Sequence, residues 1–344
     1  MVWKAVDVPE PTAGSRRPAK RIFCGSAYRE IPHFVRNDNQ DILVTIDQTE
    51  TVPSDVRRCC STISLRIFID MESEQEQEMR LPPHPRIHQR FDVRTCDVIG
   101  DIHGCYDELE KLLRELGHED LLDPDISHAR EGEKPRIVFV GDIVDRGDKI
   151  VPALRLVHRL CTRGHALTVV GNHDDRFLRW LSGRKVQIRH GLQESVDQFE
   201  EIARPERDRW REELIDFIKE LPWALHLDGG RLIVAHAAWH AELHEESSPD
   251  RIRSYTMYGP TTGRTTPEGF PERIDWAPSY EGPELVVFGH QVYDAPYWQD
   301  YAIGIDTGCV FGGALTALRY PSMEIVSVRS TRARWELRGG KREG

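Results

Sequence analysis

Acidic, imidazole and amide side chains recur at the ends of short apolar runs in this sequence. The run VIGDIHG, residues 98–104, contains Asp101 and His103. Similar runs end in the same residue types, namely Asp142, Asn172, His173, His236, His290 and Asp306. Carboxylate and amide oxygens combined with imidazole nitrogens, without cysteine, are typical ligands of divalent ions such as Mn²⁺, Fe²⁺, Zn²⁺ and Ni²⁺. These residue types therefore predict a divalent-metal site.

The joint occurrence of the motifs is the stronger signal. A single DxH indicates little, and a single histidine at a strand end is more often a hydrogen-bonded core residue than a ligand. Here GDIHG, GDIVDRG, GNHD, a strand-end AH and a strand-end GH follow one another along the chain. Five such endings favour one shared site over a set of unrelated capped loops.

Elements that could position these residues begin near Cys96. Strand-like runs recur there as CDVIGD, RIVFVGD, LTVVGN, RLIVAH, ELVVFGH, AIGID, ALTALRY and EIVSV. The run YDELEKLLREL places Leu109, Leu112, Leu113 and Leu116 on one helical face, and KIVPALRLVHRL and DDRFLRWL also predict helices. Alternating strands and helices predict an α/β protein, in which loops at the carboxyl edge of the sheet converge on one crevice. The later strands lack long helices between them, which indicates a mixed sheet or a second sheet.

Composition divides the chain into three parts. Residues 1–92 mix Pro, Arg, Gln and Glu around short strand-like runs, so we predict a poorly ordered or non-native N-terminal extension. Met79 offers an alternative start for the organised part. Residues 93–330 form the predicted catalytic domain, and residues 331–344 form a C-terminal tail.

Charge and cysteine content exclude several classes of protein. The net charge of −11 argues against a protein that coats long duplex nucleic acid. No apolar run approaches the length of a membrane span, so no membrane partner is expected. The seven cysteines are scattered without a CxxC pair, which indicates reduced thiols and predicts a cytoplasmic location. The sequence gives no prediction of oligomeric state.

The motif run resembles the binuclear metallophosphoesterases of the calcineurin-like, or phosphoprotein phosphatase, superfamily. A closer resemblance, over about residues 97–328, is to the phosphatase module of bacterial polynucleotide kinase-phosphatase. The segments GRKVQIRHGLQES, YGPTTGRTTPEGFPERIDWA and IDTGCVFGGALTALRYPSMEIVSV each resemble parts of that module. The resemblance implies an α/β (α+β) fold, a four-layer α/β/β/α sandwich of two mixed sheets flanked by helices.

The resemblance also implies a ligand set for two divalent transition-metal ions. Mn²⁺ is the expected ion, with Ni²⁺, Fe²⁺ or Zn²⁺ as alternatives. Asp101 and His103 would hold the first ion, and Asp142 would bridge both ions. The second ion would be held by Asn172, His236 and His290.

Other residues are expected to act on the substrate. His173 would protonate the departing oxygen as a general acid, and Asp145 would hold its imidazole by a hydrogen bond. Arg146 and Asn172 would bind the phosphoryl oxygens. Asp306, in IDTG, matches a further acidic position of the module and would support the metal site.

Together these features predict a phosphoesterase that hydrolyses phosphomonoesters by attack of a metal-bridging hydroxide. The substrates could include 2′, 3′ or 2′,3′-cyclic phosphates at RNA ends. Alternatives are a protein Ser/Thr phosphatase or a symmetrical dinucleoside tetraphosphate hydrolase, so the partner is a nucleotide, an RNA end or a phosphoprotein. A non-catalytic binding protein on the same fold is a weaker alternative, because every ligand position is filled.

Departures from the family pattern narrow these alternatives. Gln291 follows His290 where threonine is common, and Asp174 stands in GNHD where protein phosphatases usually have glutamate. Both weaken the protein phosphatase prediction without removing a ligand. No GxxxxGK[ST] loop occurs, and the look-alike GPTTGRTT lacks the lysine, so a stand-alone phosphatase module is expected.

Overall fold

The computed structural model describes residues 90–129, 136–244, 248–266 and 271–333, together with five strand segments nearer the N-terminus. The chain splits into two compact units, Met1–Glu78 and Met79–Gly344. The strand segments of the first unit are β1 (Lys4–Asp7), β2 (Arg21–Cys24), β3 (His33–Asn37), β4 (Gln40–Asp47) and β5 (Ser64–Arg66). Strands β1 and β2 pair, as do β3 with β4 and β4 with β5, all antiparallel. The other residues of the predicted extension up to residue 89, and tail residues 334–344, lie outside the described residues.

The second unit is built on two mixed sheets. Its strands are β6 (Arg90–Phe91), β7 (Cys96–Ile99), β8 (Arg136–Phe139), β9 (Ala166–Thr168), β10 (Ala224–Leu227), β11 (Leu232–Ala235), β12 (Thr261–Thr265), β13 (Pro271–Arg273), β14 (Leu285–Phe288), β15 (Tyr297–Trp298), β16 (Ala302–Gly304), β17 (Ala314–Tyr320) and β18 (Glu324–Arg329). One sheet has the order β15-β16-β14-β11-β10-β6, and the other has the order β18-β17-β7-β8-β9. Strands β12 and β13 form a separate hairpin.

Helices cover the outer faces of the sheets. They are α1 (Tyr106–Glu115), α2 (Ile150–Thr162), α3 (Asn172–Leu181), α4 (Leu192–Glu200), α5 (Arg204–Glu220) and α6 (Pro249–Tyr258). The predicted leucine stripe of α1 is buried, as its amphipathic spacing requires. None of the helices in the described ranges has both the length and the apolar composition that a membrane span requires.

The two sheets pack face to face over an apolar core. Val98 and Val138 of one sheet share a buried cluster with Val234 and Val287 of the other. The alternate residues, such as Ile99 and Phe139, point away from this cluster and pack in the second core, which contains the apolar faces of the helices. The predicted α/β sandwich of two mixed sheets flanked by helices is therefore confirmed.

The strand directions explain why the polar strand ends meet. Strands β7, β8 and β9 are parallel to one another, and so are β11, β14 and β16. Carboxyl ends of parallel strands lie at the same edge of a sheet, so the loops that follow them are neighbours. Every residue predicted for the site lies in the loop that follows one of these strands or, for Asn172 and His173, at the start of the helix after β9.

Candidate active site

Unusual backbone conformations aim the site residues inward. The loops after β7, β8 and β14 contain non-glycine residues with positive φ, namely His103 (44°), Asp142 (50°), Asp145 (74°), Arg146 (70°) and His290 (66°). Each such residue costs on the order of 1–3 kcal/mol and persists only where the surrounding contacts impose it. This concentration of strain at the predicted residues marks the strand-end loops as the functional region.

Asp142 lies at the centre of the site and is almost fully buried. Its Oδ2 is 3.5 Å from His103 Nε2 and 3.4 Å from His236 Nε2. Its Oδ1 accepts a hydrogen bond from the backbone N–H of His173 at 2.9 Å. One carboxylate therefore faces imidazoles from two different sides.

Backbone carbonyls fix the orientation of these imidazoles. His103 Nδ1 donates to the carbonyl of Val144 at 2.7 Å, and His236 Nδ1 donates to the carbonyl of Val140 at 2.8 Å. A carbonyl can only accept, so the proton of each neutral ring is on Nδ1 and the Nε2 lone pair faces Asp142. This is how proteins orient histidine ligands to metals.

A second group of polar atoms converges on His236. Its Nε2 is 3.1 Å from Asn172 Oδ1 and 3.0 Å from His290 Nδ1. In the neutral ring, with its proton on Nδ1, His236 Nε2 presents a lone pair to Asn172 Oδ1, and the two atoms do not form a hydrogen bond with each other. Among the described residues, His290 Nε2 is buried and has no hydrogen-bond partner.

Asp101 and Asp306 complete the acidic part of the site. The carboxylate of Asp101 accepts from the backbone N–H of His290 at 3.1–3.2 Å. Asp306 accepts from the backbone N–H of Gly308 at 3.0 Å. Both are buried, and burial raises the pKa of Asp101, with the charges of Asp306 and Asp142 adding to the effect. Three carboxylates in one buried region repel one another unless a cation lies among them.

A hydrogen-bonded chain holds His173 in place. His173 Nδ1 is 2.5 Å from Asp145 Oδ2, and Ser195 Oγ donates to Asp145 Oδ1 at 2.6 Å. The backbone N–H of Asp145 in turn donates to Ser195 Oγ at 2.9 Å. The predicted contact between Asp145 and His173 is present, and Ser195 of α4 is an additional member of the chain.

Arg146 reaches the imidazoles of His103 and His173. Its Nη2 donates to His173 Nε2 at 2.8 Å, and its Nη1 contacts His103 Nε2. Donation from a guanidinium requires a lone pair on His173 Nε2, so this imidazole is neutral in this arrangement. Burial lowers the pKa of His173 to about 3 and raises the pKa of Asp145 to about 7.

Asp174, which the sequence showed only as a departure from the family pattern, holds the site together by hydrogen bonds. Its Oδ2 accepts from the backbone N–H groups of Asp142 and Gly171 at 2.8 and 3.0 Å, and its Oδ1 accepts from Ile143 at 3.0 Å. It thereby ties the Asp142 loop to the first turn of α3. Helix α3 also begins at Asn172, earlier than the predicted DDRFLRWL, and so carries Asn172 and His173 in its first turn.

The donor set fits two divalent ions. Histidine supplies neutral nitrogen donors, asparagine a neutral oxygen and aspartate an anionic oxygen. Burial keeps the pKa values of His103 and His290 well below normal, as ligation requires. For His236 burial also acts to lower the pKa, but the charge and hydrogen bond of Asp142 outweigh it and the pKa is raised. At this site, two groups have their ligand atoms within 4.8 Å of one another: His103, Asp142 and His173, and Asp142, His236 and His290. Asp142 is common to both. His173, predicted as the general acid, also falls within this spacing in the first group, and Asp101, predicted as a ligand there, accepts a hydrogen bond from the backbone N–H of His290.

Comparisons with known proteins agree with this geometry. A family model described as calcineurin-like phosphoesterase matches residues 95–294, and the chain belongs to this family of binuclear metal-dependent phosphoric ester hydrolases. A relative from Anoxybacillus flavithermus, named bis(5′-nucleosyl)-tetraphosphatase PrpE [asymmetrical], is 40% identical over 235 residues, which are 68% of this chain and 94% of the relative. The protein of the same name from Bacillus subtilis (strain 168) is 37% identical, with the same coverage of both chains.

A solved structure is also similar. It is a protein serine/threonine phosphatase from Saccharomyces cerevisiae, 12% identical with a TM-score of 0.45, covering 71% of this chain and 82% of that one. The predicted family and its hydrolase chemistry are thus confirmed by the family match and by the two relatives.

Proposed function

We propose that this protein is a metal-dependent hydrolase of nucleotides that carry several phosphates, with dinucleoside tetraphosphates as the expected substrates. The chemistry rests on one observation, the buried Asp142 carboxylate between two groups of imidazoles. The substrate class is supported by relatives named as dinucleoside tetraphosphatases, which this chain covers over 94% of their length. The phosphomonoester activity predicted from the sequence is expected as a simpler reaction of the same site.

The proposed metal ligands are those of the sequence prediction. They are Asp101, His103, Asp142, Asn172, His236 and His290. Two bound divalent ions, for which we propose Mn²⁺, would lower the pKa of a water and neutralise phosphoryl oxygens. Asp306 would add negative charge beside Asp101. The site would therefore favour divalent cations over monovalent cations.

The remaining residues of the site would bind the phosphoryl group and protonate the departing oxygen. Arg146 presents two parallel N–H groups, a geometry that matches phosphoryl oxygens. A bound anionic phosphoryl group would draw the guanidinium from His173 Nε2 and would favour the charged imidazolium. His173 would then donate its Nε2 proton to the departing oxygen, while Asp145 holds Nδ1.

A substrate panel with the purified full chain and Mn²⁺ tests this proposal. Diadenosine tetraphosphate should be hydrolysed with a higher kcat/KM than p-nitrophenyl phosphate. The products define the bond that is cut, since AMP with ATP indicates asymmetrical cleavage, whereas two ADP molecules indicate a symmetrical dinucleoside tetraphosphate hydrolase. Turnover of p-nitrophenyl phosphate without any cleavage of the tetraphosphate would overturn the proposed substrate but not the proposed site.

Phosphates at RNA ends are a second candidate substrate. Residues 183–195, 258–277 and 305–328 resemble parts of a polynucleotide kinase-phosphatase module, which favours this alternative. An RNA ending in a 2′,3′-cyclic phosphate therefore belongs in the same panel. A phosphopeptide represents the protein phosphatase alternative, which Asp174 and Gln291 disfavour. Exclusive turnover of either one would replace the tetraphosphate as the substrate.

We also propose a cytoplasmic location. Cys96, Cys105, Cys161 and Cys309 are free thiols in the described part of the chain. The thiols of Cys105 and Cys309 are hydrogen-bonded to each other without forming a disulfide. Such neighbouring reduced thiols are typical of a reducing compartment.

A further inference from the structure

A pocket beside the active site is lined by basic side chains. It has a volume of about 360 Å³, and its charged or titratable lining residues are Arg176, Arg179, Lys185, Arg189 and His190. The protein as a whole has a net charge of −11, so a pocket lined mainly by positively charged side chains is not expected from its composition. A concave basic surface on an acidic protein attracts anionic ligands.

Most of this positive charge is not neutralised by neighbouring carboxylates. Arg179 pairs with Asp175 at 3.1 Å, and Asp175 is also held by Arg253 at 2.6 Å. Within the described residues, no carboxylate lies within 4.0 Å of the charged groups of Arg176, Lys185 or Arg189. Partial burial, followed by the charges of Arg176, Arg146 and Arg189, lowers the pKa of His190.

The pocket is directly connected to the site. The carbonyl of Gly191, next to His190, accepts a hydrogen bond from the backbone N–H of Arg146 at 3.1 Å. Gly191 has φ of 90°, and a Cβ there would lie 2.3 Å from Arg146 Cγ, so the lining loop packs tightly on this arginine. Arg176 follows His173 by three positions in α3, so both lie on the same side of that helix. A substrate held by Arg146 would therefore extend toward the pocket.

We propose that this pocket binds the phosphates of the substrate that lie beyond the phosphoryl group being attacked. It would make the enzyme selective for chains of several phosphates over a single phosphate. A polyphosphate chain carries a charge at each phosphate, and the pocket offers cations at several positions for charge-assisted hydrogen bonds. This inference deepens the proposed function and rests on it for the identity of the reacting site.

The double variant Lys185→Gln/Arg189→Gln tests the pocket. Both side chains are exposed and neither belongs to the proposed catalytic machinery. The readout is inhibition of p-nitrophenyl phosphate hydrolysis by inorganic tripolyphosphate and by orthophosphate, with Mn²⁺ in fixed excess. We expect the inhibition constant of tripolyphosphate to rise about tenfold, equivalent to about 1.4 kcal/mol. The inhibition constant of orthophosphate and the kcat/KM for p-nitrophenyl phosphate should not change.

Lys111→Gln/Arg329→Gln is the matched control, because it removes the same charge from exposed positions. Arg329 lies in β18, at the opposite edge of its sheet from β9, the strand that precedes α3. The control should leave both inhibition constants unchanged. An unchanged tripolyphosphate constant in the pocket variant, or an equal rise in the control, would overturn the proposal. Because the assay does not use a dinucleotide, failure of the pocket is distinguishable from failure of the proposed substrate.

Discussion

His173 and Asp145 form the pair on which the proposed proton transfer depends. The imidazole is held on one side by Asp145 and lies on the other side within reach of Arg146. Neither contact needs a metal ion. The pair can therefore be altered without removing a proposed metal ligand from the predicted set, which separates proton transfer from metal binding in experiments.

Replacing His173 by alanine tests the general-acid role. We expect kcat to fall about 10²–10⁴-fold for substrates with a poor leaving group, because such oxygens need a proton as the bond breaks. The leaving group of p-nitrophenyl phosphate needs little protonation, so its turnover should fall far less. Metal content, measured by elemental analysis, should be retained. An equal loss on both substrates would rule out the general-acid role.

Replacing Asp145 by asparagine tests a positioning role. The amide can present N–H toward His173 Nδ1, which would disturb the orientation of the ring and would no longer stabilise its charged form. We expect the same dependence on the leaving group as in the His173 variant. Combining the two substitutions should cost little more than His173→Ala alone, since they act through one imidazole. Additive losses would show that Asp145 acts independently of His173. Ser195 reaches His173 only through its hydrogen bond to Asp145, so Ser195→Ala should lower kcat less than Asp145→Asn does.

At the residue scale, the sequence predicted side chains whose chemistry is visible in short motifs. The structure brings all of the predicted residues to one region. Asp174 and Ser195 were missed because their function is hydrogen bonding to Asp142 and Asp145, which lie 32 and 50 positions away in the chain. Such contacts have no local sequence signal. The sequence does show acidic residues in the first turn of α3, Asp174 and Asp175. Acidic residues there are equally expected because they interact favourably with the helix dipole.

At the scale of elements, the junction of β9 and α3 controls the site. Gly171 precedes α3 and lies against Asp142, since a Cβ there would be 2.1 Å from Asp142 Oδ1 and 2.3 Å from its backbone nitrogen. Any side chain must displace either the central carboxylate or the first turn of α3, which carries Asn172 and His173. The close packing of the Asp142 loop against the start of α3 therefore requires that residue 171 has no side chain.

Gly171→Ala should consequently weaken metal binding more than folding. We expect a loss of stability of about 1–3 kcal/mol from overpacking, together with reduced metal content in the purified protein. Gly183→Ala is the matched control, because Gly183 has φ of 72° but no atom within 4 Å of its added Cβ. That control should lose about 1 kcal/mol through backbone strain and should keep its metal. Full metal content in the Gly171 variant would contradict the assigned contact.

The sequence predicted the elements that have a strong period and missed those that do not. The leucine stripe identified α1, and the apolar runs identified the central strands. Helix α5 was not predicted, although Trp210, Leu214 and Ile218 form its buried stripe, because charged residues dominate the rest of Arg204–Glu220. Strand β15 has two residues and is defined by pairing with β16, which no local pattern specifies.

A buried carboxylate beside β14 makes folding sensitive to pH. Glu284 accepts from Tyr280 at 2.7 Å and lies 2.9 Å from His244 Nε2. Burial acts to raise the pKa of Glu284, but the hydrogen bonds from His244 and Tyr280 outweigh it, and the pKa is lowered. A carboxyl group whose folded pKa is depressed contributes stability above its unfolded pKa, and this stability is lost as the pH falls through the folded value.

Glu284→Gln should therefore be less stable than the parent protein at pH 7, by about 1–2 kcal/mol. The difference should shrink as the pH falls below the unfolded pKa of about 4.3. Urea unfolding across this pH range measures it. Glu281→Gln, an exposed position in the same segment, should match the parent protein throughout. A difference that does not depend on pH would show that the charge of Glu284 is irrelevant.

At the scale of the whole molecule, all proposed site residues belong to one of the two compact units. Each of them lies within Met79–Gly344, and the family match begins at residue 95. The relative from Anoxybacillus flavithermus aligns over 235 residues that make up 94% of its own length. The second unit, Met79–Gly344, is long enough to contain the whole of this alignment, so we expect the chemistry to need no counterpart of the first unit.

A chain that begins at Met79 should accordingly keep the full activity. We expect the same kcat/KM for p-nitrophenyl phosphate and for diadenosine tetraphosphate, and the same metal content, because no proposed ligand is removed. Thermal unfolding of both chains shows whether the shorter one is folded. If it is folded and binds metal but has lost activity only toward the dinucleotide, residues 1–78 take part in substrate binding. If it has lost metal as well, the boundary predicted near residue 92 does not separate an extension from the catalytic domain.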